Sequence, residues 1–143
     1  MIILSKTHFS NISQHALKCF PNECCGALFG DITDDKKYVK SIRELENNWN
    51  ETNDENKTRR FKITTQDYMQ CEKIADSSTF QLLGFYHSHP DHLPIPSSTD
   101  LKYAWPFFSY PIISLTKNKI NSIKSYVLNP DIHDFIEEQL KIL

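Results

Sequence analysis

His87 and His89 stand two residues apart in the run Gly84-Phe85-Tyr86-His87-Ser88-His89-Pro90. In an extended segment, side chains at i and i+2 project to one face, so both imidazoles can converge on one point. Eleven residues beyond His89, after a proline-rich stretch that can fold back, comes Asp100. Ser97 or Ser98 can cap a short helix carrying this aspartate in its first turn, where the helix dipole favours an ionised carboxylate. Two imidazoles and a carboxylate are a familiar zinc ligand set, and three protein ligands leave the fourth tetrahedral position open for water. Zinc lowers the pKa of such a water to about 7, which makes hydroxide available at neutral pH. Iron or manganese could occupy the same ligands.

Hydrolysis at such a centre needs a base to take a proton and pass it to a leaving amine. Glu23 is the candidate, because it opens an apolar segment behind Pro21 and burial there raises a carboxyl pKa. Ser97, three residues ahead of Asp100, can donate a hydrogen bond to a tetrahedral oxyanion. Taken alone, Glu23 also reads as an ordinary strand-start carboxylate and Ser97 as a helix cap. His8, His15, His92 and His133 lack a spaced partner and read as structural or solvated, His92 lying in the loop between the candidate ligands. Cys19, Cys24, Cys25 and Cys71 offer no C-x-x-C pair for a structural zinc. A cysteine nucleophile using His87 as base is weighed against the commoner reading of an apolar-strand cysteine as a small buried hydrophobe. The H-x-E and P-C-x-x-C runs of zinc deaminases are absent.

The elements that must position these groups follow from periodicity. Ile2–Leu4 reads as a short strand. Ser5 or Thr7 caps a helix whose Phe9, Ile12, Ala16 and Cys19/Phe20 form one stripe ended by Pro21. Glu23 to Phe29 reads as a largely buried strand, 31–35 as a polar turn, and 37–45 as a second strand. Asn47 to Arg60 is polar and aperiodic, a loop. Phe61 to Ile63 looks like a short strand, and Thr64 or Thr65 caps a helix presenting Tyr68, Cys71, Ile74 and Ala75 on one face. Phe80 to Tyr86 is the expected central strand, leading into the histidines. The helix carrying Asp100 is expected to stop at Pro106. Residues 110–115 and 120–128 read as a hairpin, and 131–143 stays open between strand and helix. Strands with interspersed helices give an α/β (α+β) class, a mixed sheet with helices packed on it, in one domain spanning 1–143.

Composition narrows the function further. A chain of 143 residues with 39% hydrophobic and 12% aromatic content has enough for one ordinary core. Sixteen Lys and Arg against eighteen Asp and Glu give a net charge of −2 without a basic patch, so no nucleic-acid partner is expected. No apolar run approaches the roughly 20 residues of a membrane span, and Met1–Leu4 is too short for a signal core, so a cytoplasmic protein with reduced thiols and no membrane partner is expected. Three glycines and no G-x-G-x-x-G or G-K-[ST] run argue against a nucleotide cofactor.

Glu23, His87-Ser88-His89-Pro90, ten intervening residues and Pro96-Ser97-x-x-Asp100 together resemble the signature of the JAMM (MPN-plus) metalloprotease family. Pro21-Asn22-Glu23-Cys24-Cys25-Gly26, Gly84-Phe85-Tyr86 and Tyr110-Pro111-Ile112-Ile113 resemble its small bacterial members, so the likeness covers most of the chain. The resemblance implies zinc on His87, His89 and Asp100, Glu23 as general base, Ser97 at the tetrahedral intermediate, and a curved mixed sheet flanked by helices. It implies a peptidase acting after the C-terminal tail of a ubiquitin-fold protein. The first choice is a sulfur carrier, with release of cysteine or exposure of its Gly-Gly. An isopeptidase freeing a ubiquitin-like modifier from lysine is the alternative, and a non-catalytic scaffold of the same fold is a third reading. The nine residues between Asp100 and Tyr110 leave no room for the insertion of the family's eukaryotic deubiquitinases, which speaks against polyubiquitin. Loop 47–60 falls where the family has a segment that can order against the substrate tail, which could itself add to a sheet edge. Nothing in the sequence sets the oligomeric state.

Overall fold

The computed structural model describes residues 1–50 and 56–143. Eight strands and three helices follow in the order β1 (Ile2–Leu4), α1 (Lys6–Cys19), β2 (Cys25–Thr33), β3 (Lys36–Leu45), α2 (Thr65–Asp76), β4 (Gln81–Pro90), α3 (Ser98–Lys102), β5 (Ser109–Thr116), β6 (Lys119–Asn129), β7 (Asp134–Glu138) and β8 (Leu140–Ile142). The strands form one mixed, curved sheet in the order β7-β6-β5-β4-β2-β3-β1-β8. β4 runs parallel to β5, and β1 parallel to both β3 and β8; the remaining neighbours are antiparallel.

Side-chain alternation along the central strands builds two cores. On one face, Ile12 and Ala16 of α1 cover Cys24, Leu28, Leu83, Tyr86 and Ile113. On the other, Cys71 of α2 covers Cys25, Ala27, Phe29, Phe85 and Tyr110. The caps are Ser5, which accepts from the His8 N–H, and Thr64, which accepts from the Asp67 N–H, each relieving an orphan donor of the first turn. Asp34 and Asp35 have φ of 52° and 61° and make the tight turn between β2 and β3, so β2 continues to Thr33 rather than ending before Asp31.

Three expectations need correction. Phe61 to Ile63 is not a strand: the Lys62 N–H donates to Asn47 Oδ1 and its carbonyl accepts from the Asn48 N–H, so this segment is tied to a loop instead of a ladder. α3 ends at Lys102, well before Pro106, because the Trp105 N–H donates to the Tyr110 hydroxyl at 2.7 Å rather than to a helical carbonyl. The first buried strand starts at Cys25, which leaves Glu23 just outside it. The open tail resolves into β7, on β6, and β8, on β1. Residues 47–50 and 56–60 carry no helix or strand, as expected of a loop, while its centre, 51–55, lies outside the described residues. No described helix is long and apolar enough to cross a membrane.

Candidate metal centre and proton-transfer group

β4 sits between β2 and β5 and ends at His87-Ser88-His89-Pro90. Residue 85, 87 and 89 side chains share the α2 face, so the two imidazoles emerge together at the strand's C-terminal end. The loop after Pro90 returns across β5, held by the Asp91 N–H on the Leu115 carbonyl and by Ser114 Oγ, which donates to the His92 carbonyl at 2.6 Å. It delivers α3 with a reciprocal cap: Ser97 Oγ accepts from the Asp100 N–H at 3.0 Å, while Asp100 Oδ2 accepts from the Ser97 N–H at 2.8 Å.

The result is a triangle of donor atoms. His87 Nε2 lies 3.1 Å from His89 Nε2, and Asp100 Oδ2 lies 3.2 Å from the first and 3.3 Å from the second. The two histidine side chains are 2% exposed and that of Asp100 8%. His89 Nδ1 donates to the Leu93 carbonyl at 2.8 Å, which in the neutral ring leaves the Nε2 lone pair facing the triangle. A tetrahedral ion with bonds of about 2.0–2.1 Å keeps its ligand atoms about 3.3 Å apart, which is the spacing of this set. Burial works against the Asp100 charge, but the two imidazoles beside it and the Ser97 N–H outweigh it and hold the carboxyl far below the usual range. Burial also lowers the His89 pKa, opposed by the neighbouring Asp100 carboxylate, so its ring favours the neutral form, whose Nε2 can bind a cation. The residues present therefore fit a divalent cation in donor type, spacing and charge.

Glu23 reaches the same place through strand register. β2 and β4 are antiparallel with Cys25 opposite His87, and the Ser88 N–H donates to the Cys24 carbonyl, so Glu23 falls opposite His89. Ser88 Oγ accepts from the Cys24 N–H at 2.7 Å and locks this register. One carboxylate oxygen of Glu23 and ring nitrogens of His89 and His92 lie within 4.8 Å of one another. Glu23 is 2% exposed, and its Oε1 has no hydrogen-bond partner among the described residues. Burial pushes its carboxyl up to about 9, the Asp100 charge adding to the rise and Arg60 and Arg59 opposing it. A buried carboxyl with one unpartnered oxygen, facing a metal-type donor set, is a candidate for proton transfer.

Three residues the sequence left unassigned, or read as ordinary, complete the surroundings. Phe61 stacks on His87 with centroids 4.4 Å apart, and His92 stacks on His89 at 4.0 Å. Asn47 Nδ2 donates to the Glu23 and Arg60 carbonyls, both at 3.0 Å, and so fastens the loop beside Glu23. The place of His92 between the candidate ligands was its one signal; Phe61 and Asn47 gave none. Cys24 and Cys25 face opposite cores and their thiols are held protonated, Cys24 pushed up to about 12 by burial, so neither serves as a nucleophile. All four cysteines are free of disulfides.

Comparison with known proteins gives the same frame. Desampylase of Haloferax volcanii is 32% identical over 95 residues, which cover 66% of this chain and 63% of that protein, so the match spans somewhat less than two thirds of the relative. The solution structure of protein DSY2949 from Desulfitobacterium hafniense superposes with a TM-score of 0.83 at 29% identity, covering 100% of this chain and 93% of that one. AF2198, a JAB1/MPN domain protein from Archaeoglobus fulgidus, shares the fold with a TM-score of 0.63 at 19% identity, covering 100% and 99%. Residues 5–129 match the family model described as prokaryotic homologs of the JAB domain, and to that family this chain belongs.

Proposed function

We propose that this chain is a zinc-dependent hydrolase that frees a ubiquitin-like modifier by cutting the bond after the modifier's C-terminal tail. The observation that carries the reading is the donor triangle with 3.1–3.3 Å edges beside a buried, unpaired glutamate. His87, His89 and Asp100 would hold the ion. Zinc held there would supply Lewis acidity to a water and to the scissile carbonyl. Glu23 takes the proton from the attacking water at its carboxylate and delivers it to the leaving amine. Burial raises its pKa, which makes the carboxylate a better proton acceptor, and it keeps the acid so formed away from bulk water until the amine departs. Ser97 fixes Asp100 through the cap, and its hydroxyl hydrogen, not needed for that bond, is available to the developing oxyanion.

The name desampylase, borne by the Haloferax relative, supports release of a modifier from a conjugate. Release of cysteine from a sulfur-carrier tail uses the same residues and chemistry and differs only in the leaving group. The test compares a ubiquitin-fold protein joined through Gly-Gly to a lysine ε-amine with the same protein fused linearly to cysteine. Cleavage of the lysine-linked form, abolished by a chelator and restored by zinc, is the expected result. A chain that binds no zinc, or cuts neither form when loaded, refutes the reading, and a strict preference for the linear fusion moves it to the carrier.

A further inference from the structure

His87 and His89 each supply a nitrogen to the donor triangle, yet they are held differently. His89 is held twice: its Nδ1 donates to the Leu93 carbonyl at 2.8 Å, and His92 stacks on it with centroids 4.0 Å apart and planes inclined by 23°. His87 Nδ1 is buried and has no partner among the described residues. The χ2 torsion of a histidine is soft, so the side chain does not fix its own ring plane. Metal-binding histidines commonly take that orientation from a hydrogen bond at the other ring nitrogen, as His89 can from Leu93. Along the face of His87 lies Phe61 instead, with centroids 4.4 Å apart and planes inclined by 25°.

Phe61 sits in a segment without helix or strand, so no ladder holds its ring in place. Asn47 grips the main chain on both sides of it: Nδ2 donates to the Arg60 carbonyl at 3.0 Å, and Oδ1 accepts from the Lys62 N–H at 3.2 Å. Its second donor goes to the Glu23 carbonyl at 3.0 Å and its second lone pair to the Trp49 N–H at 3.1 Å, which commits the whole capacity of the amide. We propose that Phe61 is a positioning residue for His87, doing with its ring what the Leu93 carbonyl does for His89, and that Asn47 is the anchor that keeps Phe61 there. This rests on the hydrolase reading above for the choice of zinc, and adds to it the groups that set the affinity for that ion.

The test is zinc affinity of the full chain, measured by competition with a chromophoric chelator, beside urea midpoints of the zinc-stripped proteins. Phe61→Ala is expected to weaken zinc binding about tenfold or more, the scale on which outer partners of metal ligands act. Phe61→Leu, which keeps apolar bulk without a flat face, should lose most of that amount, and Phe61→Tyr, which keeps the ring, should stay within about twofold. His92→Ala should cost about threefold or less, because the Leu93 carbonyl still orients His89. Asn47→Ala should weaken zinc binding by itself and add little to Phe61→Ala, since the two act through one contact. Unchanged affinity in Phe61→Ala, or a loss in His92→Ala as large as in Phe61→Ala, overturns the proposal. So do additive losses for Asn47 and Phe61, and losses that follow the urea midpoints rather than the presence of a ring. The readout is binding, so a chain whose zinc affinity depends on Phe61 but which cuts neither conjugate sinks the hydrolase reading and leaves the positioning role standing. A chain that cleaves, and holds zinc equally well without the Phe61 ring, does the reverse.

Discussion

Tyr86 and His87 are neighbours in β4, yet they end in opposite kinds of environment. Tyr86 points to the α1 face, where its hydroxyl meets His15 Nδ1 at 2.7 Å. There the His15 Nε2 faces Glu44 at 3.9 Å, and Glu44 in turn pairs with Lys18 at 3.1 Å. His87 points to the α2 face, among His89, Asp100 and Glu23, where Glu23 Oε1 and His87 Nδ1 are buried without partners among the described residues. Both clusters contain histidine and carboxylate. What separates them is satisfaction: the first closes its polar groups on one another and leaves its acid in solvent, whereas the second buries its acids and leaves donors and acceptors aimed at something further.

The largest test of this contrast is a pair of substitutions. His89→Ala should remove zinc, from about one ion per chain to almost none by metal analysis, and hydrolysis with it. His15→Ala, the matching change on the other face, should leave zinc content intact and turnover within about twofold. Glu23→Gln lies between them, keeping the ion while lowering kcat about 10²–10⁴-fold, the usual worth of a positioned acid–base group. An active His89→Ala protein, or a His15→Ala protein that loses zinc, would erase the distinction.

How much of this was legible beforehand depends on the range of the interaction. The donor triangle is local on the histidine side, because period-two alternation puts residues 87 and 89 together, and Asp100 announces itself through the cap at Ser97. The closeness of Glu23 is a matter of register between strands more than 60 residues apart, and only the family resemblance pointed to it. Phe61 looked like a strand residue because its backbone preference is extended. Its actual role comes from stacking on His87 and from Asn47 holding the adjoining main chain, neither of which leaves a periodic trace. The tail stayed ambiguous for the same reason, since β8 is defined by pairing with β1 at the opposite end of the chain.

A second test uses protons rather than side-chain removal. With zinc stripped by a chelator, Glu23 titrates near 9 in the folded chain against 4.5 when unfolded. Between those values the native state binds more protons than the unfolded one, so stability falls as pH rises through that window. Urea midpoints of the stripped protein should therefore decline from pH 5 to pH 9. Glu23→Gln should flatten the decline, and an unchanged slope in that variant would mean that Glu23 is not the buried acid.

The smallest effect belongs to the closed cluster and checks that it is structural. Tyr86→Phe removes the hydroxyl and leaves the His15 Nδ1 lone pair buried and unpaired, at a cost of about 1–3 kcal/mol in unfolding free energy. Burial lowers the His15 pKa, the Glu44 charge opposing and the Lys18 charge assisting. For a histidine the sign is then opposite to that of Glu23: below 6.5 the unfolded chain binds more protons, so stability drains as pH falls through and below that value. His15→Gln should remove this acid-side slope while leaving the alkaline-side decline of the stripped protein untouched. Independent slopes would show that the two faces of β4 titrate separately, one closed on itself and the other open to a ligand. A single slope abolished by either substitution would mean that Tyr86 and His87 couple the faces through the strand they share.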